Sequence, residues 1–192
     1  MSEIVNIVAV TRVILKNTQQ SLPDLLNLDK HKLRNKRSYL SEFKTKREMN
    51  QFSGFFLKLK SATLTIFKTG RIVINGIKEW TKIVAINDEF THHLCINLPP
   101  EIEFELELPR IVNITGCRHT RKNIDLIAVV KNDSNAKYEP EIFPNLQYRF
   151  NNSSARGIIS KKGSIIVTGI KRIDEIKTHL DELENKCKNE NQ

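Results

Sequence analysis

Two phrases in this chain carry nearly the same alternation of apolar and polar positions. GRIVINGIK runs from Gly70 to Lys78, and GSIIVTGIK runs from Gly163 to Lys171. A second pair, IVNIVAV from Ile4 and IVNITGC from Ile111, is rich in the β-branched residues that favour strands. The pattern therefore predicts two similar halves. Each opens on a strand (4–14; 110–118) followed by a short helix. In the first half that helix is SLPDLLNL, with Ser21 as N-cap and Pro23 in the first turn; in the second it is RKNIDLIAVV. Strands joined by tight turns come next: FSGFFLKLK, SATLTIFKTG and RIVIN, against LQYRF, ARGIIS and SIIVTG. Gly70 and Gly163 fall where a hairpin needs positive φ. An amphipathic helix closes each half. EWTKIVAINDEFTHHL offers Trp80, Ile83, Phe90 and Leu94, and RIDEIKTHLDELENK puts Ile173, Ile176, Leu180 and Leu183 on one stripe.

A duplicated strand–helix–strands–helix unit predicts an α+β fold, with two related halves sharing one antiparallel sheet and helices on one face. The predicted boundaries are 1–98 for the first repeat, 99–109 for an acidic linking strand, and 110–192 for the second repeat. Asn6 recurs at Asn113, an offset of 107, whereas Gly70 recurs at Gly163, an offset of 93. The first half thus carries 107 − 93 = 14 extra residues between its motifs. They fall in DKHKLRNKRSYLSEFKTKR (29–47), a densely basic insertion that could grip flanking phosphates, bind an acidic protein, or stand solvated. EIEFELE (101–107) alternates strictly and predicts a strand with one acidic face. Run unbroken into Asn113, period two would put those glutamates on the face of Asn113, and Pro109 is expected to break that register. The acidic face then meets solvent, the basic insertion or a protein.

The other sheet face is unusual. A sheet backed by helices ordinarily turns polar residues to water, yet IVINGI and IIVTGI are apolar at almost every position. Either protein buries both faces, or the open face meets an apolar partner surface.

Composition narrows the partner. Among 192 residues, 39% are hydrophobic, enough for a core, and the formal charge is +9, which favours a polyanion such as nucleic acid. No apolar run reaches bilayer length, and the N-terminus lacks a basic region ahead of its apolar run, so neither a membrane span nor a signal peptide is expected. Three widely spaced cysteines make no disulfide framework and suit a reducing, intracellular compartment. His92, His93 and Cys95, taken with Cys117 and His119, match no familiar zinc spacing, and no metal site is expected. No nucleophile–base pair, phosphate-cradling loop or carboxylate constellation stands out, so the chain is not read as an enzyme and needs no cofactor.

YEPEIFPNLQYR, from Tyr138 to Arg149, resembles the signature of the TATA-binding protein family, in which a strand follows a tyrosine–glutamate–proline–glutamate stirrup. The two glycine phrases resemble that family's strand–TGAK segments, and the Asn-containing openings resemble its first strands. The resemblance covers most of the chain, in order and in both halves. It implies a saddle-shaped, pseudo-twofold sheet whose concave apolar face lies in the minor groove of AT-rich promoter DNA. It further implies partners in a TFIIB-type initiation factor and the RNA polymerase machinery, acting in a nucleus or, for a virus, a cytoplasmic viral factory. The excess of Asn and Lys fits an AT-rich genome such as that of a virus or protist.

The resemblance also assigns residues. Asn6 and Asn113 match the asparagines that meet acceptors on the groove floor, with Val8 and Thr115 two residues on along the same face. Later strands contribute Val73 and Asn75, and Ile166 and Thr168; Asn75 replaces the family's threonine. Lys58, Lys78, Arg149 and Lys171 match basic positions that meet phosphate. Of the wedge phenylalanines, Phe143 matches in the second half, while Phe52 and Phe67 match in the first; Thr65 shares the strand of Phe67. The fourth wedge falls on Ser160, and Arg156, which alternates with Ile158 and Ser160, stands where the family has an apolar residue. Serine cannot wedge a base step, so altered sequence preference or an asymmetric bend is expected. Glu139, Glu141 and Ile142 match the stirrup that contacts the initiation factor. The alternative is an adaptor or decoy that keeps the saddle and has lost or altered its DNA specificity, and an accessory domain of a nucleic-acid enzyme is a further rival.

Overall fold

A computed structural model describes residues 3–28, 53–120 and 122–188. The basic insertion and Phe52 lie outside the described residues. The chain divides into two compact units, Val8–Arg110 and Met1–Ile7 with Ile111–Gln192.

The Val8–Arg110 unit holds most of strand β1 (Glu3–Leu15), helix α1 (Leu22–Leu25), strands β2 (Gly54–Lys58), β3 (Thr63–Phe67) and β4 (Arg71–Ile77), helix α2 (Lys82–Asn97), and strand β5 (Phe104–Leu106). The strand order is β2-β3-β4-β1, with β5 on β1. Register sorts the residues by face. Phe55, Ile66 and Ile72 form one cross-strand row, and Leu57, Leu64 and Ile74 form another. Leu64, Ile66, Ile72 and Ile74 are buried, as are Ile83, Ile86, Phe90 and Leu94 along α2, so these rows form the core. The turn between β3 and β4 depends on Gly70, at φ 78, where an added Cβ would stand 2.2 Å from the Val13 carbonyl oxygen.

Two expectations need correction here. Trp80 is 54% exposed, because α2 begins only at Lys82, and Ile86 supplies the core contact instead. The acidic strand is short: Phe104–Leu106 pairs with Leu15–Val13 of β1, the Lys16 amide donates to Glu103 and the Glu107 amide to Arg12 at its two ends, and it stops before Pro109. Glu103, Glu105 and Glu107 are exposed, and Lys16 lies 3.9 Å from Glu105.

The second unit holds β6 (Arg110–His119), α3 (Leu126–Asn132), β7 (Ala136–Lys137), β8 (Leu146–Arg149), β9 (Arg156–Ile159), β10 (Ser164–Ile170) and α4 (Asp174–Lys188). Its order is β6-β10-β9-β8-β7. Asp125 caps helix α3: its carboxylate accepts from the Ile127 and Ala128 amides and so satisfies two open N–H groups. Helix α4 buries Ile176, Leu180, Leu183 and Cys187; Ile173 precedes the helix and is half-buried. Two glycines seat this helix on the sheet. A Cβ at Gly116 would stand 2.5 Å from Ile176 Cγ1, and one at Gly157 would stand 2.6 Å from Leu183 Cδ1. Both units thus share the α+β construction that the patterning predicts.

Candidate nucleic-acid interface

Strand register defines the face of each sheet that the helices leave open. In the second unit Gln147, Ile158, Ile166 and Cys117 form one row across β8, β9, β10 and β6. Arg149, Arg156 and Thr168 form the next, and the Thr168 hydroxyl lies 3.0 Å from that of Thr115. The helix-facing rows alternate with these: Leu146, Ile159, Ile165 and Arg118, then Tyr148, Gly157, Val167 and Gly116. Ile158, Ile166, Thr115 and Thr168 are half-buried, whereas Leu146, Ile159, Ile165 and Val167 are fully buried. The open face is therefore apolar and only partly covered.

Asn113 is held by a local irregularity. The β6–β10 register slips between Val167 and Ile170, at Gly169 with φ 86. That bulge aims the Gly169 amide at Asn113, whose Oδ1 accepts it at 2.8 Å. An amide N–H can only donate, so the bond fixes which end of the side chain is oxygen. The Nδ2 group is left with one long contact, to the Thr115 hydroxyl at 3.4 Å. Asn113 is thereby preset as a donor on a half-buried face.

Phe143 sits at the outer end of this face. It lines a hollow of about 700 Å³ with Lys137, Gln147, Arg149, Arg156 and Ile158. The turn that carries it is closed by the Glu139 carbonyl, which accepts from the Ile142 and Phe143 amides at 3.0 and 2.9 Å. Glu139 and Glu141 are exposed and Ile142 is 80% exposed; Lys137 pairs with Glu139 at 3.1 Å. Ser160 is half-buried, and its hydroxyl oxygen accepts from the Ser164 amide at 2.9 Å, tightening the β9–β10 turn. Lys171 is exposed just past β10.

The open face of the first unit follows the same logic. Phe56, Thr65 and Val73 form one row; Lys58, Thr63 and Asn75 form the next. Val73 and Asn75 are half-buried, and so is Phe67 at the end of β3. Thr65 is only 6% exposed between its row neighbours. Lys58 and Lys78 are exposed. Val8 is half-buried in β1, as is Asn6, which belongs with the second unit.

Several contributors escaped sequence reasoning. Gln147 and Cys117 share the row of Ile158 and Ile166, which period-two counting from Arg149 and Thr115 could have found. Phe56 lies on the open face, visible only once the β2–β3 register is known. Gly169 orients Asn113 through its backbone, and the sole hint was the repeated glycine of the two opening phrases.

Not every cation serves this face. Arg118 lies in a helix-facing row and bonds Asp181 and Glu184, both at 2.6 Å, with its side chain 12% exposed. Burial opposes its charge, but the two carboxylates more than offset this and raise its pKa. Among the described residues no group of three or more His, Cys, Asp or Glu side chains could hold a metal ion.

The family described as transcription factor TFIID (or TATA-binding protein, TBP) matches residues 108–188. The TATA-box-binding protein of Methanothermobacter thermautotrophicus is 30% identical over 138 residues, covering 68% of this chain and 72% of that protein. The chain belongs to the TATA-binding protein family. Another TATA-box-binding protein, from Pyrobaculum aerophilum, is 29% identical over 158 residues, 78% of this chain and 76% of its own length. Methanococcus jannaschii TBP superposes with a TM-score of 0.67 over 98% of both chains at 20% identity, which establishes the TATA-binding-protein fold.

Proposed function

We propose that this protein is a non-enzymatic transcription initiation factor that binds AT-rich promoter DNA in the minor groove, bends it, and recruits a TFIIB-type factor. The observation that carries this reading is Asn113. Its Oδ1 is occupied by the Gly169 amide, so the side chain offers an N–H donor from an apolar strand face. A·T pairs present only acceptors in the minor groove, whereas a G·C pair adds a donor that would oppose it. Asn6 has the corresponding role. Val8, Val73, Asn75, Ile158, Ile166, Thr115 and Thr168 lie along the groove, and Phe67 and Phe143 act as wedges, joined by Phe52. Lys58, Lys78, Arg149 and Lys171 meet phosphates. The exposed Glu139, Glu141 and Ile142 form the docking point for the initiation factor.

The test is a mobility-shift titration on three duplexes that share one AT-rich core. Exchanging A·T for inosine·C alters the major groove and leaves the minor-groove pattern unchanged; exchanging it for G·C adds the guanine amino group. Affinity should survive the first exchange and fall about tenfold or more per central pair in the second. Equal affinity for all three would reject minor-groove recognition. Fluorescence energy transfer between the duplex ends reports the bend.

A further inference from the structure

Ser160 and Arg156 are the two departures on the second unit's open face, the first just past the end of β9 and the second at its start. Arg149 and Arg156 are direct cross-strand partners, and Thr168 follows in the same row. Like charges placed directly opposite one another destabilise a sheet. Among the described residues no carboxylate pairs with either guanidinium; Arg156 Nη1 donates only to the Ala155 and Ser154 carbonyls, at 2.9 and 3.5 Å. Both arginines line the hollow that holds Phe143. Arg156 is exposed at the first position of β9, an inner strand between β8 and β10. Ser160, meanwhile, has turned its hydroxyl oxygen onto the Ser164 amide.

We propose that Arg156 is a specificity-determining residue that reads minor-groove width, entering a narrow groove at the half-site where the second wedge is missing. This rests on the DNA-binding reading above. A base step wedged by Phe143 alone is kinked less than one with two wedges, so the groove there stays narrower. A narrow groove, as in A-tracts, concentrates negative potential and attracts an arginine. The guanidinium then donates to base acceptors on the floor and is neutralised by the flanking phosphates. The half-site under this unit therefore favours stiff A-tracts over flexible TA steps, the reverse of what two wedges would select.

The test is binding-site selection from random duplexes with the wild type, R156V, S160F and the double variant, with thermal melts as folding controls. The wild type should enrich an A-tract in one half-site and prefer it about tenfold over a TA-step duplex. R156V should lose that preference and lower the log–log salt slope by about 0.9. It should also melt no lower than the wild type, because the Arg149–Arg156 repulsion is relieved. The double variant should enrich TA steps in both half-sites. If the wild type binds AT-rich duplex and depends on Asn113, yet R156V selects the same sequences with the same salt slope, the groove-width role is wrong and the DNA-binding reading stands. If the wild type binds no duplex, both fall.

Discussion

Replacing Asn113 separates the fold from the proposed recognition chemistry, because one end of its side chain holds the Gly169 amide and the other is proposed to meet DNA. Asn113→Ala removes the acceptor of the Gly169 amide, a bond of 2.8 Å, and two weaker contacts of 3.4 Å with Thr115 and Thr168. The site is half-buried, so water can replace part of what is lost. The stability cost is about 1 kcal/mol, or roughly 2–4 °C in Tm for a chain of this size. The loss on DNA should be larger: a base acceptor left unpaired in a water-excluded interface costs about 1–3 kcal/mol, roughly 5- to 150-fold in Kd. Asn113→Asp is the sharper perturbation. Its carboxylate keeps an oxygen for Gly169, so the bulge and the Tm should be retained. Its second oxygen replaces the outward donor with a negative charge, facing base acceptors and phosphates. Binding should therefore weaken at least as much as in the alanine variant. Fluorescence anisotropy on a labelled AT-rich duplex, run beside thermal melts, measures both quantities. The reasoning fails if Asn113→Asp binds within about threefold of the wild type while melting normally.

Other substitutions probe the scaffold and the partner surface. Gly157→Ala places a methyl 2.6 Å from Leu183 Cδ1 and 3.1 Å from Tyr148 Cβ, both in the core, and should cost about 1–3 kcal/mol in a denaturant titration. Asp133 accepts from Lys186 and from the Tyr148 hydroxyl; burial pushes its carboxyl up, but these partners hold it below its ordinary value of 3.8. A folded-state pKa depressed in this way adds stability at neutral pH that drains away as pH falls below about 3.8, so Asp133→Asn should flatten the acid limb of a Tm–pH profile. Ile142→Glu, at an 80% exposed position, should leave duplex affinity unchanged and abolish the supershift by a TFIIB-type factor. A supershift that survives would remove the stirrup from the partner surface.

The elements themselves were largely legible. Alternation located β3, β4, β8, β9 and β10, and the glycines of the two hairpins have the positive φ that their turns require: Gly70 at 78 and Gly163 at 88. Helix periodicity found Ile83, Phe90 and Leu94, and Ile176, Leu180 and Leu183, because burial along a helix repeats with its geometry. It failed at Trp80, since a stripe carried past the first helical turn no longer says which way a side chain points.

By itself, then, the sequence determined the duplicated plan and the apolar open face, because each is written in local spacing or in a repeated phrase; the residues proposed to meet DNA were assigned by resemblance to the family. Tertiary structure alone decided how those residues are prepared. The amide orientation of Asn113 depends on a bulge at Gly169, 56 residues away. Gly116 and Gly157 are required by a helix that arrives later in the chain, and the charge of Arg118, turned to the helix side by strand alternation, is met by Asp181 and Glu184 of that same helix. Arg149 and Arg156 become neighbours only through the β8–β9 register. The physical reason is common to all four. Patterning reports which face a residue takes within its own element, while polarity, clearance and charge at a site depend on atoms brought from distant segments, and no local period records them.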